Sequence, residues 1–183
     1  MAVHLLAVFG RTLVELWTGD AVVAAQAAPL IGILAMGSAL HGVMYLPYAL
    51  QLAYGATALP LKINLILMIV QIPLIIILSI EYGALGGALA WLILHILYVA
   101  LGTWLTHRQL LPEVGRTWLR DDVGIPLLVS AAVGYAAWQA MAAIHPSTAI
   151  AFVAAAFTGI VAVVISVWLS PHSLARIRAA FTD

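Results

Sequence analysis

Five long apolar runs without a single charged side chain constrain this chain more than any other feature of its sequence. They cover residues 21–45, 63–80, 88–106, 123–143 and 148–169. An uncharged run of about 18 or more residues is long enough to cross a membrane as a helix. Lipid offers no hydrogen-bonding partner to an exposed backbone, so these runs are predicted to be helices. The expected fold is an all-α integral membrane protein with five complete transmembrane helices.

Composition also indicates lipid as the solvent. Hydrophobic residues make up 65% of the chain and charged residues 8%, whereas soluble proteins carry about 25% charged residues. The formal net charge is zero, so no basic field indicates a nucleic-acid partner. Cysteine is absent, which excludes disulfides, thiolate catalysis and cysteine-based metal sites.

The amino end does not fit the regular pattern of crossings. Residues 1–9 are apolar but too few to span a membrane, and Gly10 and Arg11 follow them. The segment lacks the basic start and the small-residue cleavage pattern of a secretory signal peptide. We therefore expect residues 1–20 to hold a truncated helix followed by a turn, and the chain to be the carboxy-terminal part of a longer protein.

Positive charges are distributed unequally between alternate loops. Arg11 falls on one side, and the other side holds Lys62, Arg108, Arg116, Arg120, Arg176 and Arg178. Because lysine and arginine are retained in the cytoplasm, the second side is predicted to be cytoplasmic, together with the carboxy terminus. The expected segments are a three-helix part at 21–106, a cytoplasmic basic loop and main boundary at 107–122, two further transmembrane helices at 123–169 and a cytoplasmic tail at 170–183.

Polar and aromatic side chains inside the runs recur at spacings of three or four, which places each set on one helix face. The three stripes are Ser38, His41, Tyr45 and Tyr48; Asn64, Met68 and Gln71; and Trp91, His95, Tyr98 and Gly102. Their polar members are candidates for lining a substrate path, in which Trp91 and Tyr98 are able to stack on sugar rings. The alternative interpretation is that the stripes pack and hydrogen-bond the helices to one another.

The cations at the helix ends have two interpretations. Lys62 lies where its stem can snorkel and its charge can meet a phosphate. Arg108, Arg116 and Arg120 are able to attract anionic lipid headgroups. All four are equally explained as topology anchors.

No catalytic site is predicted. The HExxH and GxxxxGK[ST] motifs, clustered membrane carboxylates and a Ser/His/Asp set are all missing from the sequence. The six histidines are scattered without metal-ligand spacing. Asp121 and Asp122 would diverge by about 100° on a helix, which makes a poor acid/base pair. The chain is therefore expected not to be an enzyme and to hold neither a cofactor nor a metal.

Three segments together resemble a known family. FGRTLVELWTGD, LHGVMYLPYALQLAYGATALPLKINL and EYGALGGALAWLILHILYVALGTWLTHRQLLP are similar to the carboxy-terminal half of bacterial polysaccharide and O-antigen flippases, and the similarity covers residues 8–112. These proteins belong to the multidrug/oligosaccharidyl-lipid/polysaccharide exporter superfamily. The resemblance implies a transporter of about 12 to 14 helices in two lobes. It implies movement of an undecaprenyl-diphosphate-linked oligosaccharide across the bacterial inner membrane by alternating access.

Applied to this chain, the resemblance implies an incomplete transporter. Residues 1–9 would be the stump of a helix in the second lobe, FGRTLVELWTGD a periplasmic turn, and the helices in 123–169 appended. The first lobe and its basic cavity residues would be missing, so the chain would be inactive alone. The implied partners are membrane lipid, the lipid-linked oligosaccharide and the missing amino-terminal half. The alternative is a non-transporting membrane scaffold for glycan-assembly enzymes, and a glycosyltransferase module is disfavoured by the lack of candidate acids.

Overall fold

The computed structural model describes residues 2–113, 115–144 and 148–169. Within these ranges the secondary structure is helical throughout, which confirms the all-α prediction. The helices are α1 (Ala2–Thr18), α2 (Ala21–Val43), α3 (Tyr45–Ala53), α4 (Ala58–Tyr82), α5 (Ala84–Leu110), α6 (Gly115–Trp118), a π-helical segment (Leu119–Gly124), α7 (Ile125–Ile144) and α8 (Thr148–Leu169). The predicted tail at 170–183 lies outside the described residues.

Three helical stretches in the described part of the chain are long and apolar enough to cross a membrane. They are Ala21–Ala53, which joins α2 and α3, together with α4 and α5, and they contain 33, 25 and 27 residues. Membrane helices are therefore supported for the three predicted crossings between residues 21 and 106. Helices α7 and α8 have 20 and 22 residues, and their crossing of the membrane stays a prediction.

Helix α1 is longer than the expected stump. It has 17 residues and continues through Gly10 and Arg11, so most of the FGRTLVELWTGD segment is helical and not a turn. Gly10 is buried, and a Cβ atom there would lie 3.3 Å from Ile31 Cγ2 of α2. Because Gly10 has no side chain, α1 approaches α2 closely at this point. Helix α1 ends at Thr18, and Gly19 follows it with a φ of 69°.

Asp20 begins α2 with a side-chain cap. Its Oδ1 accepts hydrogen bonds from the backbone N–H groups of Val22, at 2.7 Å, and Val23, at 3.1 Å. We expect Asp20→Ala to lower the free energy of unfolding by about 1 kcal/mol, because two amide donors lose their partner. Asp20→Asn keeps an acceptor oxygen. It should lower the free energy of unfolding by only a few tenths of a kcal/mol, because the negative charge at the start of the helix is lost. Thermal unfolding in detergent, followed by circular dichroism, measures both, and equal losses in the two variants would contradict the cap.

The first crossing is interrupted at Met44, between α2 and α3. Pro47 lacks an N–H group, and in an unbroken helix its ring would clash with the carbonyl of Val43, four residues earlier. Helix α2 accordingly ends at Val43. The Met44 N–H turns back to the carbonyl of His41 at 3.0 Å, and the Met44 side chain is 1% exposed. Tyr45 and Tyr48 therefore belong to a different helix, α3, from Ser38 and His41.

Helices α4 and α5 form a hairpin joined by one residue. Gly83 connects them with φ 58°, a left-handed conformation that glycine adopts without steric cost. The buried side chains of α4 recur every fourth residue at Leu59, Ile63 and Leu67. They pack against partly buried residues that include Leu94, Tyr98, Leu101 and Leu105 of α5. Helix α5 also packs against α2, so it is the central helix of this part of the fold.

The chain divides into two compact units. One is Phe9–Gly115, which contains α2 to α5, and the other combines Met1–Val8 with Arg116–Asp183, in which α7 packs against α8. The division falls between Gly115 and Arg116, inside the segment 107–122. Helices occupy much of that segment, because α5 runs to Leu110 and α6 begins at Gly115.

Candidate functional site

A cleft of about 390 Å³ lies where α4 and α5 face the end of α2. All three polar stripes of the sequence contribute to it. Its lining consists of His41, Asn64, Leu67, Met68, Gln71, Ile72, Trp91, Leu94, His95 and Tyr98. Six of the nine predicted path residues are thus brought together: His41, Asn64, Gln71, Trp91, His95 and Tyr98.

Helical spacing explains how the cleft is assembled. Asn64 and Gln71 are two turns apart on α4, and Trp91, His95 and Tyr98 follow one another by three or four residues on α5. Because α4 and α5 are antiparallel neighbours, the two sets meet across one groove. Gly37 of α2 allows the third helix to join, since a Cβ atom there would lie 2.9 Å from Nε1 of the Trp91 ring.

Two histidines from different helices form a hydrogen-bonded pair in the cleft. His95 is 3% exposed, and its Nε2 lies 3.2 Å from Nδ1 of His41. Its Nδ1 lies 2.8 Å from the backbone oxygen of Trp91. A carbonyl only accepts, so Nδ1 of His95 carries the proton and Nε2 of the neutral ring is an acceptor. In the uncharged pair His41 therefore donates from Nδ1 and keeps the lone pair of its Nε2 free.

Aromatic rings surround the pair. The ring centroids of Trp91 and His95 are 4.3 Å apart, and those of His41 and His95 are 5.1 Å apart at an interplanar angle of 80°. The Tyr98 ring lies 6.0 Å from His41. These contacts hold the imidazole of His95 in place from two sides, while Trp91 remains 38% exposed at the surface of the cleft.

The cleft has no formal charge and is deep in the apolar helices. None of its lining residues is an acid, a lysine or an arginine. Gln71 lies 13 residues after the start of the 25-residue helix α4, which is about 20 Å along the helix axis. Its Oε1 is buried and has no hydrogen-bond partner among the described residues. Polar groups at this depth are costly unless they are paired or bind something, and this oxygen is an acceptor with unused capacity.

Three predicted path residues lie outside the cleft. Ser38 donates its hydroxyl to the backbone oxygen of Leu34 in its own helix at 2.9 Å. Tyr45 is 73% exposed and Tyr48 is 40% exposed. Both tyrosines belong to α3, beyond the interruption at Met44, and neither lines the cleft.

The predicted cations differ in their surroundings. Lys62 is the fifth residue of α4. Near the end of α5, the guanidinium of Arg108 lies 5.3 Å from the centre of the Trp104 ring. Arg120 Nε donates to Oδ1 of the buried Asp121 at 2.6 Å. This hydrogen bond and the charge of Asp121 raise the pKa of Arg120 further above its ordinary value. The side chain of Arg116 lies outside the described part of the structure.

A second buried polar contact was not predicted from the sequence. Gln51 of α3 and Thr106 of α5 are 1% and 0% exposed, and Gln51 Nε2 donates to Thr106 Oγ1 at 2.6 Å. Thr106 in turn donates to the backbone oxygen of Gly102 at 2.6 Å. Gln51 lies between the first two predicted apolar runs, and its partner is 55 residues away along the chain. Helical spacing therefore gives no signal for this contact.

Comparisons with known protein families, with curated proteins and with solved structures found no match to this chain. Among the described residues, no group of three or more His, Asp or Glu side chains could hold a metal ion. The cleft itself combines hydrogen-bonding groups and aromatic rings and has no formal charge.

Proposed function

We propose that this chain is part of a transporter that moves a lipid-linked oligosaccharide across the bacterial inner membrane, and that its cleft contacts the saccharide. The observation that carries the proposal is the convergence of an uncharged set of hydrogen-bonding and aromatic side chains inside three apolar helices. The resemblance of residues 8–112 to polysaccharide flippases supports the same function.

The chemistry of the cleft suits a hydroxylated ligand. A sugar hydroxyl both donates and accepts, and the free Nε2 of His41, the amide of Asn64 and the unpaired Oε1 of Gln71 offer complementary groups. Trp91 and Tyr98 present apolar ring faces that match the C–H faces of a pyranose. A dianionic diphosphate would find no cation among the lining residues, so the saccharide fits this cleft better than the diphosphate.

The location of the cleft suits transport. Small-molecule transporters place their binding groups near the middle of the bilayer, at the interface between two repeats or bundles. Gln71 and His95 lie near the middle of α4 and α5. Alternating access requires a second bundle that rocks against this one, and the proposal assigns that bundle to a partner or to a further part of the same protein.

The test is complementation in cells that lack the gene. The full open reading frame containing this chain should restore surface polysaccharide and clear accumulated lipid-linked oligosaccharide. His41→Ala and Asn64→Ala should each reduce the transport rate by roughly 5- to 150-fold, because a lost hydrogen bond to a buried ligand costs about 1 to 3 kcal/mol. Surface polysaccharide and the lipid-linked precursor are measured together.

Ser38→Ala is the matched control. Ser38 lies one turn before His41 on α2, but its hydroxyl is bound to its own helix, so the variant should restore transport fully. Full rescue by His41→Ala and Asn64→Ala at wild-type protein levels would remove the cleft from the path. Unchanged precursor levels in cells without the gene would contradict the transport function and leave the scaffold for glycan-assembly enzymes as the better explanation.

A further inference from the structure

A second groove runs between α4 and α5, away from the histidine pair. It has a volume of about 370 Å³ and an apolar lining of Ile66, Leu67, Val70, Leu97, Ala100, Leu101 and Trp104. On α5 it extends over the eight residues from Leu97 to Trp104, which is about 10 Å along the helix. The shape of this groove suits a narrow apolar chain. It shares the apolar Leu67 with the first cleft and contains none of that cleft's hydrogen-bonding residues.

Both walls of the groove end in a cation at the same end. Lys62 lies one helical turn before Ile66 on α4, and Arg108 lies one turn after Trp104 on α5, so each continues the stripe that lines its wall. The two helices are antiparallel, which brings the start of α4 beside the end of α5. Leu105 of α5 packs against the cluster of Leu59, Ile63 and Leu67 on α4, which agrees with this pairing.

The two cations have no acidic partner in the described part of the chain. The ion pair present there joins Arg120 to Asp121, and Glu113, the acid nearest to Arg108 along the chain, is not within ion-pair distance of either cation. Arg108 is held over the Trp104 ring, with its guanidinium carbon 5.3 Å from the ring centre. A cation–π contact of this kind positions the guanidinium at the end of the groove without neutralising it.

We propose that this groove is a binding site for an anionic phospholipid, with the phosphate between Lys62 and Arg108 and part of one acyl chain along the groove. Charge complementarity favours this occupant. An apolar partner helix would need a longer apolar surface and would leave two cations unpaired, whereas a phospholipid supplies an apolar chain and an anion in one molecule. The site is separate from the saccharide cleft, and the proposal does not depend on the transport function.

The experiment measures lipid enrichment beside Trp104. The full chain is reconstituted in phosphatidylcholine vesicles that contain a small fraction of phosphatidylglycerol brominated on its acyl chains. The quenching of Trp104 is obtained by subtracting the quenched fluorescence of Trp104→Phe from that of the wild type. Brominated phosphatidylcholine at the same fraction is the neutral reference. We expect phosphatidylglycerol to be enriched by roughly 25-fold, since each cation near the surface contributes about fivefold.

Variants separate the headgroup from the chain. Lys62→Gln and Arg108→Gln should each lower the enrichment about fivefold, and the double variant should abolish it. Ala100→Phe fills the groove without changing the charge or adding a tryptophan, and it should abolish quenching of Trp104 by the brominated chain. Arg11→Gln, which removes an exposed cation outside the groove, is the matched control and should leave the enrichment unchanged.

Three results would overturn the lipid site. The first is equal quenching by the two brominated lipids in the wild type. The second is unchanged enrichment in the Lys62→Gln, Arg108→Gln double variant. The third is loss of the enrichment on adding millimolar inorganic phosphate, which would identify a site for free phosphate instead of a lipid. Because transport is not measured, failure here leaves the proposed function untouched, and failure of complementation leaves the lipid site untouched.

Discussion

Gly86→Ala is expected to lower the free energy of unfolding by about 3 kcal/mol, at the upper end of the usual cost of overpacking. Gly86 lies in the first turn of α5 and is buried against the end of α4. A Cβ atom at this position would overlap the backbone carbonyl of Leu78 and would lie 2.8 Å from the backbone nitrogen of Ser79. Backbone atoms cannot rotate away as a side chain can, so the α4–α5 hairpin has to open.

Gly87→Ala is the matched control, because it makes the same chemical change one residue later. A Cβ atom at Gly87 would lie 3.6 Å from Ser79 Oγ, an ordinary van der Waals contact. Alanine is also a better helix former than glycine by about 1 kcal/mol, so this variant should be neutral or slightly stabilising. Unfolding of both proteins in detergent and denaturant compares them directly. Equal stability of the two variants would show that the hairpin does not pack as closely as described.

Thr106→Val is expected to cost about 2 to 3 kcal/mol, although valine has nearly the same shape as threonine. The hydroxyl of Thr106 accepts the hydrogen bond of Gln51 Nε2. The Oε1 of Gln51 is already buried without a partner in the described structure. Removing the hydroxyl would leave both polar atoms of the amide unpaired between α3 and α5, which carries their full desolvation penalty.

Replacing the other partner of this hydrogen bond should cost little stability. Gln51→Leu removes the whole amide, and Thr106 still donates to the carbonyl of Gly102, so we expect a loss below about 1 kcal/mol. The double variant should then be more stable than Thr106→Val alone, with a coupling of about 1 to 2 kcal/mol. Unfolding of the four proteins in one detergent gives this cycle. Additive losses would mean that Gln51 and Thr106 do not interact.

The pattern of charges and helical spacing predicts much of the candidate site. Uncharged runs separate the first three crossings from their connections, and the recurrence of Asn64 and Gln71 on one helix and Trp91, His95 and Tyr98 on another indicates two faces. Their convergence follows once α4 and α5 form a hairpin at Gly83. The partner of each residue does not follow, because spacing along a helix does not specify how deeply two helices approach. The contact of His41 with His95 depends on Gly37 making room for Trp91.

Two differences between the sequence pattern and the structure are local. Tyr45 and Tyr48 share the spacing of Ser38 and His41, but α2 ends at Val43 and both tyrosines belong to α3. Gly10 and Arg11 predicted the end of a short helix, yet both lie inside α1, where Gly10 has no side chain to meet Ile31 of α2. Spacing along the sequence specifies neither the interruption at Met44 nor the contact at Gly10.

The hydrogen bond between His41 and His95 limits how much charge the cleft can hold. The neutral pair has one free lone pair, at Nε2 of His41, and a proton added there leaves the bond to His95 intact. A second proton would have to occupy Nε2 of His95, the atom that accepts this bond, and it would place two cations 3.2 Å apart. The two rings can therefore stay hydrogen-bonded only while no more than one of them is charged. A hydrogen bond that fixes the shape of the cleft thus also excludes a doubly charged pair from it.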